Sequence, residues 1–281
     1  MDGASGDGRR HCSQSSGTRP SVPHPLHRFT QRCPLSVVAE RPIHALAREG
    51  RWEFRDVGTL KRLTQVLSKR SAPFRASDYW EKRHLALDGS LRAVGHIGLT
   101  DEVNARQYER KREAVEQLLQ RWVPEARGKR LLDAGCGVGA FAATYLSAGF
   151  EVHGVDFSPT AIARACERFP DAHFTVSSLE NLALGESFDV IVAVDVLLHI
   201  VDDGAWRRVL GALARHLTMG GVFVIVDTAS DRPVATATHV RVRSVDEWQD
   251  VFRRIGVGLL EHTRLELPAE NATKDVFVLR R

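Results

Sequence analysis

Residues 129–157, KRLLDAGCGVGAFAATYLSAGFEVHGVDF, limit the folds open to this chain more than any other stretch. An apolar strand (Leu131, Leu132) leads to an acid, Asp133, a glycine turn (Gly135, Gly137, Gly139) and a helix of small residues. A second strand, Val152–Val155, then ends on Asp156. Strand, glycine turn and helix in this order fit a parallel α/β sheet. There, backbone N–H groups and a helix N-terminus converge at the carboxyl end of the strand and receive a nucleotide-like ligand. Glycine serves the turn because a Cβ would block close approach and disfavour the backbone angles.

Two ligands compete for such a turn. Gly135-Cys136-Gly137-Val138-Gly139-Ala140 satisfies the dinucleotide pattern G-x-G-x-x-G/A, and Asp156 follows about 20 residues on, where a ribose-binding acid belongs. Alone, that pattern admits an NAD(P)-dependent oxidoreductase. Gly139, however, makes the tighter spacing G-x-G-x-G, and Asp133 sits just before the first glycine. A carboxylate there repels a pyrophosphate and suits a ligand bearing an ammonium group. S-adenosylmethionine is such a ligand, with a sulfonium and an amino acid where a dinucleotide has phosphates. Asp133-Ala134-Gly135-Cys136-Gly137-Val138-Gly139 resembles the first motif of the class I S-adenosylmethionine-dependent methyltransferase family, and Gly154-Val155-Asp156-Phe157-Ser158 resembles its second.

The resemblance covers residues 77–281 and is to the small-molecule enzymes of that family. It implies a Rossmann-like α/β fold: a seven-stranded, mostly parallel sheet with helices on both faces, an antiparallel C-terminal hairpin and an N-terminal helical lid. It implies S-adenosylmethionine as cofactor and S-adenosylhomocysteine as product. The cofactor contacts it implies are Asp133, Gly135, Cys136, Gly137, Gly139, Asp156, Phe157, Ser178, Leu179 and Val194. Relatives often carry an Asp where Ser178 stands, which makes Ser178 the weakest of these.

Charge is unevenly placed. Residues 1–75 carry 14 Lys and Arg against 6 Asp and Glu, and the remainder 25 against 29, so the basicity belongs to the leading segment. With an acidic body and no recognition module, nucleic acid is not the expected partner; a small molecule is. No apolar run reaches the roughly 20 residues of a membrane span. Cys12, Cys33, Cys136 and Cys166 lack ligand or disulfide spacing, so no metal is expected, and a reducing, cytoplasmic setting follows. Monomer and homodimer remain open.

Residues 1–55 read as a basic, disordered lead rich in Gly, Ser, Pro and Arg. The absence of acids between Gly8 and Ala39 suits a transit peptide, but prolines at 20, 23, 25 and 34 oppose the amphipathic helix one needs. Residues 56–125 read as N-terminal helices forming a lid, with a basic helix over 56–70, and residues 126–281 as the cofactor-binding domain. Tyr79-Trp80-Glu81-Lys82-Arg83 resembles the Tyr-Trp-Glu-x-Arg segment of several bacterial methyltransferases. It makes Tyr79 and Trp80 acceptor contacts or, equally, packing residues.

Thr100 predicts the N-cap of a helix running to Trp122, and Ser158-Pro159 the start of another. His173–Val176 predicts a strand, and Phe188–Val194 a fully buried one. Met219-Gly220-Gly221 reads as a turn before a strand over 222–226. A helix over Val245–Ile255 and strands near 258–267 and 275–279 close the chain; joined by a short loop, those strands must be antiparallel.

Methyl transfer from a sulfonium needs alignment, and an oxygen nucleophile also gains from a base. His199, just past the fourth strand, is the base candidate; His also occupies the matching position in many family members. Asp195, ending that strand, is the candidate to bind the methionine ammonium or orient the acceptor. His239 and Arg241 resemble the acceptor-lining segment of relatives. The expected activity is O-methylation of a small hydroxylated metabolite. N- or C-methylation, a non-catalytic cofactor-binding protein and the oxidoreductase stand as alternatives.

Overall fold

The computed structural model describes residues 75–87, 90–232, 234–268 and 272–281, all within the unit Thr64–Arg281. The expectations for 1–55 and for a helix over 56–70 lie outside the described residues. In chain order come α1 (Ala76–Ala86), α2 (Asp101–Trp122), β1 (Arg130–Ala134), α3 (Ala142–Ala148), β2 (Glu151–Asp156) and α4 (Pro159–Arg168). Then follow β3 (His173–Val176), β4 (Phe188–Val194), α5 (Asp203–His216), β5 (Leu217–Asp227), β6 (Ala229–Ser230), β7 (Val234–Ala237) and β8 (Val240–Ser244). The chain closes with α6 (Val245–Ile255), β9 (Gly258–Glu266) and β10 (Thr273–Arg280).

Seven strands form one sheet in the order β3-β2-β1-β4-β5-β10-β9. β10 lies antiparallel between β5 and β9, and the other pairings are parallel. The order reverses between β1 and β4, and that reversal opens a crevice at the carboxyl ends of these strands.

Both faces of the sheet are buried. Leu131, Val190, Val192 and Val224 pack on the side of α2 and α3, while Leu132, Ile191, Ala193 and Ile225 pack against α5 and α6. Neighbouring residues thus alternate between two apolar clusters, which is why β4 has no polar face. Each Leu, Ile and Val among them contributes roughly 1.5–3 kcal/mol by leaving water.

The helix starts lie where hydroxyl and carboxyl caps place them. Thr100, Ser158 and Asp202 accept from Val103, Ala161 and Ala205, and Ser244 forms a reciprocal capping box with Glu247.

Two features depart from the sequence reading. Met219-Gly220-Gly221 is not a turn ahead of the strand but part of β5, which begins at Leu217. Gly220 takes φ 79° there and the register to β4 shifts, so the residues form an irregularity inside the ladder. The segment after β5, to which the sequence reading assigned no element, builds a small second sheet, β6-β8-β7. Its β8 buries Arg243 to 1% exposure.

Candidate active site

A cavity of about 500 Å³ opens at the carboxyl ends of β1, β2 and β4, roofed by α1 and the turn after it. Of the residues singled out from sequence, Asp133, Gly135, Cys136, Gly137, Asp156 and Phe157 line it on one side. Ser178, Leu179, Val194, Asp195, His199 and Trp80 line the rest. Gly139, Tyr79, His239 and Arg241 stand outside its wall.

The glycine turn needs its glycines. Gly135, Gly137 and Gly139 all take positive φ, and a Cβ on Gly135 would lie 2.5 Å from Val196 Cγ2. Above the turn, a Cβ on Gly137 would meet Val94 of the roof at 3.4 Å.

Asp133 is 3% exposed, and its Oδ2 has no hydrogen-bond partner. Burial, with the neighbouring Asp156 carboxylate, pushes it up to about 7. A buried carboxylate with an unused oxygen is a poor structural element and a good receptor for a cation. Asp156 accepts from the Gly137 N–H at 3.0 Å and the Ser158 N–H at 2.9 Å, tying the second strand to the glycine turn. Burial raises its pKa, and these N–H bonds oppose the rise. Ser178 caps the short helix Leu179–Asn181 through the Glu180 N–H.

Asp195 takes φ 57° at the end of β4. Lys111 from α2 bonds one of its oxygens, and Lys274 from β10 lies 2.5 Å from the other. Burial alone would raise this acid, but the two ammonium groups win and hold it well below the usual carboxylate range. Lys274 also donates to Thr228 at 2.9 Å. Asp227 accepts from the Leu198 and Thr228 N–H groups, and burial pushes it up to about 7 against the pull of Lys274.

The next turn carries His199. Arg243 supports it from below, donating to the Ile200 carbonyl at 2.7 Å and lying over the Trp206 ring at 4.3 Å. His199 Nδ1 meets the His239 carbonyl oxygen at 2.8 Å, and the Trp80 ring edge packs on the imidazole, centroids 4.8 Å apart. Burial lowers His199 to about 4, with the His239 carbonyl pulling the other way. His239 stacks between Tyr79 at 4.7 Å and His199 at 5.8 Å. The structure therefore gathers Tyr79, Trp80, His199 and His239 into one aromatic group. Arg241 points elsewhere, with its guanidinium held by both oxygens of Asp203 at 2.7 and 2.8 Å.

Sequence reasoning placed Glu81 in a motif without a contact and missed His84, Tyr108, Lys111 and Lys274. Tyr108 and Lys111 were readable only as polar positions on the inward face of α2, and nothing local paired Lys111 with Asp195. Among the described residues, no group of His, Cys, Asp and Glu side chains is placed to hold a metal ion. No described helix is long and apolar enough to cross a membrane.

Residues 131–221 match the methyltransferase-domain family. The chain is 32% identical over 142 residues to a dTDP-4-amino-2,3,4,6-tetradeoxy-D-glucose N,N-dimethyltransferase of Saccharopolyspora spinosa, covering 48% of this chain and 55% of that protein. It is 35% identical over 157 residues to a ubiquinone biosynthesis O-methyltransferase of Nitrobacter winogradskyi, covering 48% and 59%. The chain thus spans less than two thirds of the length of these curated relatives. The fold is similar to that of magnesium protoporphyrin IX methyltransferase from Synechocystis, solved with S-adenosylmethionine. The TM-score is 0.55 at 17% identity, covering 74% of this chain and 93% of that one.

Proposed function

We propose that this chain, whose residues 131–221 form a methyltransferase domain in the class I fold, transfers a methyl group from S-adenosylmethionine to a small molecule. The acceptor atom is a hydroxyl oxygen, and His199 takes its proton. The observation that carries the cofactor assignment is the unpartnered, buried Asp133 Oδ2 beside a glycine turn. A cationic amino acid group satisfies that oxygen and a diphosphate does not, which also weighs against the oxidoreductase reading.

Bound in the cavity, S-adenosylmethionine supplies a methyl group already activated by its sulfonium. The residues then divide the remaining work. Asp133 and the glycine turn receive the amino acid end. Asp156, at the mouth between Gly137 and Ser158, receives the ribose, and Ser178 and Leu179 border the base. Asp195 is already neutralised by two lysines, so its part is to hold the turn that aims His199 rather than to bind the ammonium.

His199 is oriented to accept a proton through one ring nitrogen. Because a carbonyl only accepts, Nδ1 carries the hydrogen and Nε2 keeps its lone pair. Trp80 shields the ring. Methylation of an amine at the same site is the second reading; the amino-sugar enzyme among the relatives favours it, and an amine needs no base once neutral.

Mass spectrometry of the ligand retained on the purified protein, followed by turnover with panels of phenols, sugars and amines, tests both levels. Retention of a dinucleotide in place of S-adenosylmethionine or its product would end the assignment. Turnover of amines alone would replace the acceptor.

A further inference from the structure

The roof of the cavity carries a buried polar group that neither the fold nor the proposed reaction uses. His84 is 3% exposed and borders the cavity, and its Nδ1 has no hydrogen-bond partner. A buried imidazole nitrogen left unpaired costs free energy that a ligand would return.

The residue is held from three directions. Glu81, one turn earlier on α1, accepts from the Ser158 and Thr160 hydroxyls at the start of α4. The His84 carbonyl itself accepts from Arg164 of α4 at 3.2 Å. Arg83 donates to the Arg92 carbonyl at 2.9 Å and to that of Gly95, fixing the turn that sets Val94 over Gly137. These tethers place His84 over the β2–α4 connection, on the Asp156 side of the cavity. Trp80, one turn earlier on the same face, is the α1 residue that meets His199. The stripe on α1 is therefore divided, with Trp80 toward the acceptor and His84 toward the nucleoside.

Burial, with the Arg164 and Arg83 guanidinium groups near by, holds His84 below the ordinary histidine range and outweighs Glu81, so the ring is neutral at pH 7. In a neutral imidazole Nδ1 either donates its N–H or accepts through its lone pair, and a hydroxyl, which can do both, meets it in either tautomer. We propose that His84 is a ligand-binding residue whose imidazole hydrogen-bonds the ribose hydroxyls of the nucleoside held at Asp156. This rests on the reading of the cavity as an S-adenosylmethionine site.

Calorimetric titration of the full chain with S-adenosylhomocysteine and with 5′-methylthioadenosine, which lacks the amino acid, tests it. His84→Phe should weaken both ligands by about 5–30-fold, and His84→Gln, which keeps a donor and an acceptor, should stay within about 3-fold of wild type. Unchanged binding of methylthioadenosine by His84→Phe overturns the proposal. A loss confined to S-adenosylhomocysteine also overturns it, because the contact would then be to the amino acid. Should the variants not fold, ¹⁵N-histidine spectra of the wild-type protein decide. The His84 ring signals must move when methylthioadenosine is added, and signals that stay put refute the contact. A wild-type chain that binds neither ligand fails earlier, at the cofactor assignment itself.

Discussion

His199 Nδ1 lies 2.8 Å from the backbone carbonyl oxygen of His239, 40 residues further along the chain. A backbone carbonyl fixes the tautomer as a carboxylate would, but adds no full negative charge to stabilise an imidazolium. The base is therefore oriented yet weak, with burial lowering it to about 4. Such a group suits an acceptor whose proton is already acidic, a phenol before an aliphatic alcohol.

His199→Gln should slow O-methylation by about 10²–10⁴ and leave S-adenosylhomocysteine affinity within about 3-fold of wild type. In wild type, protonation of His199 should cut the rate only as pH falls toward 4, with no acid limb near 6.5 from this residue. Turnover at saturating cofactor across pH 4–9 checks both. An unchanged rate in the variant removes the base.

Asp133 adds a separate pH dependence. It is raised from 3.8 to about 7, so the folded, ligand-free protein holds a proton there that the unfolded chain has lost. The sign for stability follows: this acid favours the fold at low pH, and its contribution falls as pH rises from about 4 through 7. Binding has the opposite sense, because an ammonium ligand requires the ionised form. Affinity for S-adenosylhomocysteine should rise between pH 6 and 8, with proton release visible as buffer-dependent heats of binding. Asp133→Asn should weaken binding at least about 10-fold and abolish that pH dependence.

The sheet, its helix starts and the glycine turn were legible because each has a local cause: alternating burial, a capping hydroxyl, a residue that tolerates positive φ. The places of Asp133 and Asp156 at the carboxyl ends of β1 and β2 were legible as well, since the apolar runs before them define those strands. The support beneath His199 was not. Lys111, Asp195 and Lys274 come from α2, the turn after β4 and β10, and meet only through the tertiary fold. Arg243 carried no local sign of its burial, which comes from β6 and β7 flanking its strand and from the Trp206 ring that receives its guanidinium. Pairings between distant segments leave no periodic trace.

That lysine pair can be tested without any substrate. Asp195→Asn would leave two buried cations facing each other without their anion. Removing one member of a buried ion pair costs about 3–5 kcal/mol, and the Asn variant should fall in that range by urea unfolding. Lys274→Met leaves Lys111 on the carboxylate and should cost less, about 1–3 kcal/mol. Equal, small losses in both would show that the network does not hold the turn.

Glu81 joins the roof to the cofactor side of the sheet, and its removal should separate binding from chemistry. Its carboxylate accepts from the Ser158 and Thr160 hydroxyls, which hold its pKa below the usual glutamate range. Ser158 keeps its capping bond to the Ala161 N–H without Glu81, so α4 should persist when the acid is lost. Glu81→Ala should therefore leave the melting temperature within a few degrees of wild type, a surface-scale change. Amide exchange across Ala76–Ala86 should quicken, because the helix loses its tie to the first turn of α4 while those through Arg83, the His84 carbonyl, Tyr79 and Trp80 remain. The Michaelis constant for S-adenosylmethionine should rise by about 3–10-fold while the maximal rate changes less, since Trp80 and His199 sit on the other side of the cavity. A fall in maximal rate with an unchanged Michaelis constant would place α1 in the chemistry rather than in holding the ligand.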